Sequence, residues 1–302
     1  MPRFLYFDLR PRSGFRLPLS ASALWGHLAW AVRELEGDEA LEAWLSAHES
    51  AIERGEVPPL QLSSAFPRGF LPRPLLPPSE VEDTESRKGL KALGYVPLER
   101  LPEVFRKGEA ALLPLVKEGG APSGWEAHPR TRVAMDRRTG AAAEGLLFEE
   151  VLYWSAGVFR VYVRLGEGMA EGRLGGLLDF VGQMGYGGGS SVGNGVFKVE
   201  GGGEEELPEG RGPYRMLLGP GLLPPRPEGW WRVERYWGRL GPRYASAPVP
   251  FKRPYLRVVE GSVLKNHVPR LLVLTPSPPP EDGIRVLENL APLTLQLEVP
   301  NA

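Results

Sequence analysis

The chain has 302 residues, a net charge of −1, no cysteine and four histidines. That length suits about two domains of ordinary size, and the missing cysteines exclude disulfides, thiolate metal sites and cysteine nucleophiles. His27, His48, His128 and His267 lack the short spacing of metal ligands, so neither a structural zinc nor any other cofactor is expected. No apolar run approaches the roughly 20 residues of a membrane span, and MPRFLYFDLR lacks the order of a signal peptide, so a cytoplasmic protein with no membrane partner is expected.

Residues 3 to 9 alternate as RFLYFDL and predict a strand; Ser20 then caps a helix with Leu24, Leu28, Ala31 and Leu35 on its apolar stripe. A second amphipathic helix is predicted over 38 to 54, with Leu41, Trp44, Leu45 and Ile52 inward. Residues 57 to 78 are broken by proline and admit at most one short strand. Residues 79 to 125 read as an insertion decorating the domain, its acidic part (Glu80, Glu82, Asp83, Glu85) expected to be mobile. Residues 128 to 150 read as a projecting hairpin that feeds an apolar strand over 146 to 163. Leu174, Leu177, Leu178 and Val181 mark a further helix, followed by a glycine run and a short strand over 196 to 199. The order strand, helix, strand, strand, helix, strand is that of a ferredoxin-like unit.

The tract GGGEEELPEGRG, 201 to 212, reads as a linker. It separates an N-terminal domain, 1 to 200, from a smaller β-dominated domain, 213 to 302. Charge is uneven: residues 226 to 257 hold eight bases against Glu228 and Glu234, an excess of six. Most of those bases are arginine, whose planar fork suits phosphate and stacks on bases; a high-GC or thermophilic source gives the same bias.

Two segments carry candidate chemistry. Six glycines in GYGGGSSVGNG, 185 to 195, permit positive φ and close approach of the backbone to a ligand, with successive amides forming an anion nest. No Lys-Ser or Lys-Thr follows, which excludes a Walker A loop, and Ser190 stands where a dinucleotide fingerprint needs its last glycine. A flexible helix-to-strand turn is the alternative. The hairpin carries Arg130, Arg132, Arg137 and Arg138 around Val133, Ala134 and Met135. Bases hold phosphates there while an apolar tip wedges between nucleotides, or the arginines serve only solubility.

LSASALWGHLAW, AFPRGFLPRPLLPP, the hairpin pattern R-x-x-x-D-R-x-T-G-x-A-x-x-G-x-L-F, the glycine loop, FKRPYLRVVEGSVLK and LTLQLEV together resemble the RAMP superfamily of CRISPR proteins. More narrowly, their order resembles the subunit of type III-A (Csm) interference complexes that caps the 5′ end of the crRNA. The resemblance covers nearly the whole chain. It implies an α+β fold of two ferredoxin-like (RRM-like) domains, with a projecting β-hairpin thumb and a glycine-rich loop. It implies a non-catalytic binder of the crRNA 5′ handle, partnered by a large polymerase-like subunit and a repeating backbone RAMP subunit. Carried onto this sequence, RNA contacts fall on Ser20, Ser22, Gly187, Gly188, Gly189, Ser190 and Ser191, and on Arg130, Arg132, Met135, Arg137 and Arg138 at the handle-to-spacer boundary. Lys252, Arg253, Phe70 and Arg73 are weaker carry-overs that serve RNA or subunit contacts. Relatives often place a base inside the glycine loop, whereas GGGSS has none, so charge must come from Lys198, Arg253 or the hairpin.

Two other readings compete. Other RAMP proteins cleave repeat RNA with a histidine, and His27 lies on the first helix. Alternatively, the chain is a structural adaptor whose basic segment meets an acidic protein.

Overall fold

The computed structural model describes residues 3–79, 83–119, 124–135 and 138–299. The chain opens as β1 (Arg3–Pro11), α1 (Ala21–Glu36), α2 (Asp38–Arg54), β2 (Leu60–Leu62), β3 (Phe66–Pro67) and β4 (Phe70–Pro72). It continues as α3 (Thr84–Ala92), β5 (Tyr95–Pro97), α4 (Leu101–Lys107), α5 (Leu113–Lys117), β6 (Glu126–Met135), β7 (Ala142–Trp154) and β8 (Phe159–Leu165). After α6 (Glu171–Met184) and β9 (Phe197–Glu206) come short strands: β10 (Tyr214–Leu217), β11 (Gly229–Trp230), β12 (Val233–Tyr236), β13 (Tyr255–Val258), β14 (Val263–Leu264), β15 (Leu271–Val273), β16 (Leu287–Asn289) and β17 (Thr294–Leu297).

The N-terminal sheet runs β2-β8-β1-β9 with every neighbour antiparallel, and β3 adds to β8. Alternation along β1 sends Phe7 and Leu9 to one face and Phe4 and Tyr6 to the other. The first face packs on α1, α2 and α6 through Leu24, Leu28, Ala31, Trp44, Leu174, Leu177 and Leu178. Leu35, read as part of the α1 stripe, is 54% exposed. Gly37 at φ 99° ends α1 and lets α2 start at once, with Asp38 and Glu39 favourably placed at the positive end of its dipole.

The other face of the sheet is covered. Phe4, Phe66 and Tyr162 pack against Leu90, Val96, Leu101, Val104 and Leu112 of the insertion and against Met216, Leu218, Leu293 and Leu295 of the second sheet. The insertion therefore builds core, anchored by the β4–β5 pairing. Glu80 and Glu82, expected to be mobile, lie outside the described residues.

Three expectations are corrected. Residues 57–78 hold three short strands, because each proline there sits at a strand end or in a loop. The apolar run 146–163 breaks at 155–158 into β7 and β8, where Ser155, Ala156 and Gly157 turn the chain from the hairpin into the sheet. Residues 201–206 are strand, and linker composition misled because the three glutamates alternate: Glu205 points inward to Arg160 and Tyr162, while Glu204 and Glu206 pair outward with Arg3. Gly202 and Gly203 fit there because a Cβ would stand 2.9 Å from the Tyr6 carbonyl and 3.0 Å from its hydroxyl.

The second sheet runs β11-β14-β10-β17, again antiparallel. In order of appearance this is second, third, first, fourth, the permutation of β2-β8-β1-β9. The connections differ, since no α-helix lies among the described residues after Glu206. In place of helices stand the β12–β13 ribbon and the β15–β16 pair. The second unit thus repeats a strand order without the helices that a full ferredoxin-like unit carries.

Candidate nucleic-acid interface

The glycine loop starts where α6 ends and is pinned at both ends. Gly185, Gly187, Gly189, Gly193 and Gly195 all have φ between 76° and 88°, where an L side chain is strained. Tyr186 is buried; its hydroxyl accepts from the Ser20 N–H at 3.0 Å and donates to the Pro18 carbonyl at 3.1 Å. The Gly195 N–H reaches the Gly14 carbonyl at 2.9 Å. The Gly187 N–H donates to His27 Nε2 at 2.9 Å. Burial, with the nearby Lys252 charge, lowers the His27 pKa to about 4, so the imidazole is neutral and its Nε2 is an acceptor.

Within the loop the amides of Val192, Gly193 and Asn194 bond to Gly189 and Ser190 carbonyls. The amides of Gly188, Gly189, Ser190 and Ser191 have no protein partner among the described residues. Four successive donors, with Gly187 and Gly189 at positive φ beside and among them, make the geometry of an anion nest.

The base that the loop sequence lacks comes from Arg16. A Cβ on Gly188 would stand 2.8 Å from Arg16 Cδ, so the arginine stem lies against the loop. Its guanidinium pairs with Glu150 on β7, and Arg132 on β6 pairs with the same carboxylate at 2.7 Å. Glu150 is nearly buried between them. Neither Arg16 nor Glu150 stood out in the sequence, since PRSGFRLP reads as an ordinary loop.

The β6–β7 ladder sets the faces of the hairpin. Arg130 opposes Glu150 and Arg132 opposes Phe148, while Thr131 opposes Glu149 and Val133 opposes Leu147. Arg130, Arg132 and Phe148 thus share the face turned to Arg16 and the loop. Phe148 is 51% exposed, and Met135 near the tip is 55% exposed. Arg130 and Arg138 are exposed, and Arg137 lies outside the described residues.

The remaining candidates are placed differently. Ser20 occupies the helix N-cap, yet its hydroxyl makes no capping bond; Ala21 N–H instead donates to Ser64 Oγ at 2.9 Å. Ser22 is buried and accepts from Arg257 at 3.4 Å. Lys252 is engaged by Glu288 at 2.6 Å and the Leu287 carbonyl at 2.7 Å, and Arg73 by Glu109 at 3.1 Å. Phe70 is half-buried. Arg253 is exposed and donates to the Val273 carbonyl.

The face of the N-terminal sheet that carries Phe4 and Tyr6 is closed. Phe4 and Tyr162 are buried, and the Arg160 guanidinium lies 3.5 Å above the Tyr6 ring, held by Asp8 at 2.7 and 2.9 Å and by Glu205 at 3.0 Å. Among the described residues no cluster of His, Asp and Glu could hold a metal ion, and no helix is long and apolar enough to cross a membrane.

No family model matches the chain. A curated relative, the CRISPR system Cms protein Csm4 of Thermococcus onnurineus (strain NA1), is 27% identical over 285 residues, covering 88% of each chain. This chain is Csm4-like. Its fold agrees with that likeness: a chain of the Csm1–Csm4 cassette solved with pppApA matches over 100% of both chains at TM-score 0.64 and 20% identity. A chain of the Csm3–Csm4 subcomplex of the type III-A CRISPR-Cas interference complex matches over 98% of this chain and 99% of its own at TM-score 0.61 and 17% identity. The likeness in mixed helix-and-sheet architecture therefore extends through the helix-poor C-terminal third.

Proposed function

We propose that this Csm4-like chain is a non-catalytic RNA-binding subunit that holds the 5′ handle of crRNA and caps a type III-A effector complex. In that role it joins a Csm1-like large subunit to a Csm3-like backbone subunit, the partners named with its structural neighbours. Its two sheets are read as ferredoxin-like units, the second without helices, and the β6–β7 hairpin as a thumb.

The observation that carries the RNA reading is the juxtaposition at the loop. Four amides without a protein partner among the described residues lie beside Arg16, and across Glu150 from Arg132 and the exposed Phe148. Amides and guanidinium groups suit phosphates, and an exposed ring suits an unstacked base, which is how single-stranded RNA is held. Specificity for the handle then rests on the splayed bases.

A cleaving role would need His27 to hold or move a proton. Its Nε2 already accepts from Gly187, and its lowered pKa leaves it without an acid proton at neutral pH. The structure thus supports an anchoring role for His27.

The test is salt titration of a repeat-derived single-stranded RNA oligonucleotide on the purified full chain. Phosphate contacts predict log K falling with log salt by about 0.7 per contact, and Arg130, Arg137 and Arg138→Ala together flatten that slope. No affinity at low salt, with complex assembly intact, would favour the adaptor instead. Cleavage of repeat RNA without metal, abolished in His27→Ala, would establish the nuclease.

A further inference from the structure

The β12–β13 ribbon leaves one face outward. In its register Glu234 opposes Arg257 and Tyr236 opposes Tyr255, and this pairing forms the inner face, where the Arg257 guanidinium lies 3.5 Å over the Tyr236 ring. Alternation sends Arg235 and Trp237 the other way. Trp237 is 49% exposed, with Arg235 at 5.4 Å from its ring centre; Phe251 is 38% exposed, with Arg239 at 5.2 Å. Neither Arg235 nor Arg239 has a carboxylate within ion-pair distance among the described residues.

The ribbon that carries this face adjoins the glycine loop. Gly238, next to Trp237, accepts the Lys252 N–H through its carbonyl at 2.9 Å. Lys252 lies near enough to His27 to depress its pKa, and His27 carries the Gly187 amide. The loop after β12 also rests on α1, where Tyr244 meets Trp30 with ring centres 6.3 Å apart. The glycine loop thus lies between the hairpin on one side and the ribbon on the other.

We propose that the outer face of this ribbon is a second contact for single-stranded RNA, continuous with the glycine loop. Bases of the strand that crosses the loop stack on Trp237 and Phe251, and Arg235 and Arg239 take the phosphates. The proposal rests on the RNA reading above and extends its path away from the hairpin. Each ring carries a guanidinium on one side and leaves room for a base, the pairing of stacking platform and cation used for single strands. A protein partner closing over the patch would bury both unpaired charges, which is costly without added carboxylates.

The experiment measures binding of a fluorescein-labelled, repeat-derived RNA oligonucleotide to the full chain. Trp237→Ala with Phe251→Ala is expected to weaken binding by on the order of tenfold or more, while Trp237→Phe alone retains most of it. Thermal unfolding checks that the exposed-site variants fold. 4-Thiouridine crosslinks from wild-type protein are expected within residues 231–256 and give a readout independent of any variant.

Unchanged affinity in the double variant, where Arg130→Ala with Arg138→Ala weakens binding, overturns the ribbon contact and leaves the proposed function standing. Unchanged RNA affinity with loss of assembly into the complex makes the ribbon a protein interface and overturns it equally. If wild-type protein binds no RNA at low salt, both readings fall together.

Discussion

Lowering the pH from 7.5 to 5 drives protons toward imidazoles that the fold keeps neutral. His48 is fully buried; its Nδ1 lies 2.8 Å from the Trp44 carbonyl and its Nε2 accepts from the Leu60 N–H at 3.3 Å. Burial lowers its pKa to about 4, and burial does the same for His27 and His267. Because the folded pKa lies below the unfolded value of about 6.5, the unfolded chain binds more protons between pH 6.5 and 4. Stability is therefore complete above pH 6.5, falls through that window and levels off below it. For His48 alone the loss at pH 5 is about 2 kcal/mol, and the other two raise it to roughly 4–6 kcal/mol, against about 5–15 kcal/mol for a whole domain. Paired carboxylates such as Glu56, Glu103 and Glu200, whose pKa values are lowered by Arg54, Lys107 and Arg10, contribute only at more acid pH. Urea unfolding at pH 7.5, 6.5, 5.5 and 5 measures the fall, and His48→Gln should remove about 2 kcal/mol of it. A stability that is flat or rising toward pH 5, or a His48→Gln protein with the full fall, would refute the reasoning.

His27→Ala removes the acceptor of the Gly187 amide, worth about 1 kcal/mol; RNA affinity should drop on the order of fivefold with the salt slope unchanged, since no charge is lost. Arg16→Ala should instead make the slope shallower by about 0.7, as read by the same salt titration. Gly195→Ala places a Cβ 2.0 Å from the Tyr186 carbonyl at φ 77°, so chemical denaturation should show a loss of about 2–5 kcal/mol. Gly187→Ala meets nothing within 4 Å and should cost only the left-handed strain, about 1–2 kcal/mol. Arg160→Ala removes the bidentate partner of the buried Asp8, leaving it only Arg68 at 3.8 Å, and should cost about 3 kcal/mol, which a matched pair of urea curves would reveal.

Helices were the most legible elements. α1, α2 and α6 stand where apolar periodicity put them, because each buries one stripe against a single sheet face and local spacing encodes that. Strands were harder. The 201–206 tract has linker composition, yet Glu205 finds Arg160 and Tyr162 across the sheet, a pairing that no local window contains. The proline-rich 57–78 segment likewise becomes strand only because β8 and β5 supply partners.

The candidate interface divides the same way. The glycine run and the arginine hairpin could be read from residue types, since positive φ and guanidinium charge are properties of the residues themselves. Arg16 could not, because nothing in PRSGFRLP tells that its stem will lie under Gly188 and its charge on Glu150. Lys252 and Ser22 looked available and are engaged by Glu288 and Arg257, partners 36 and 235 residues away.

By itself, then, the sequence determined the positions of α1, α2 and α6, the glycine loop, the basic character of residues 226–257 and the family likeness, all carried by local pattern. The tertiary structure decided which charges remain free, which sheet face is closed and where the loop's missing base comes from. Those outcomes depend on contacts between residues distant in the chain, formed only when both sheets and the insertion pack together.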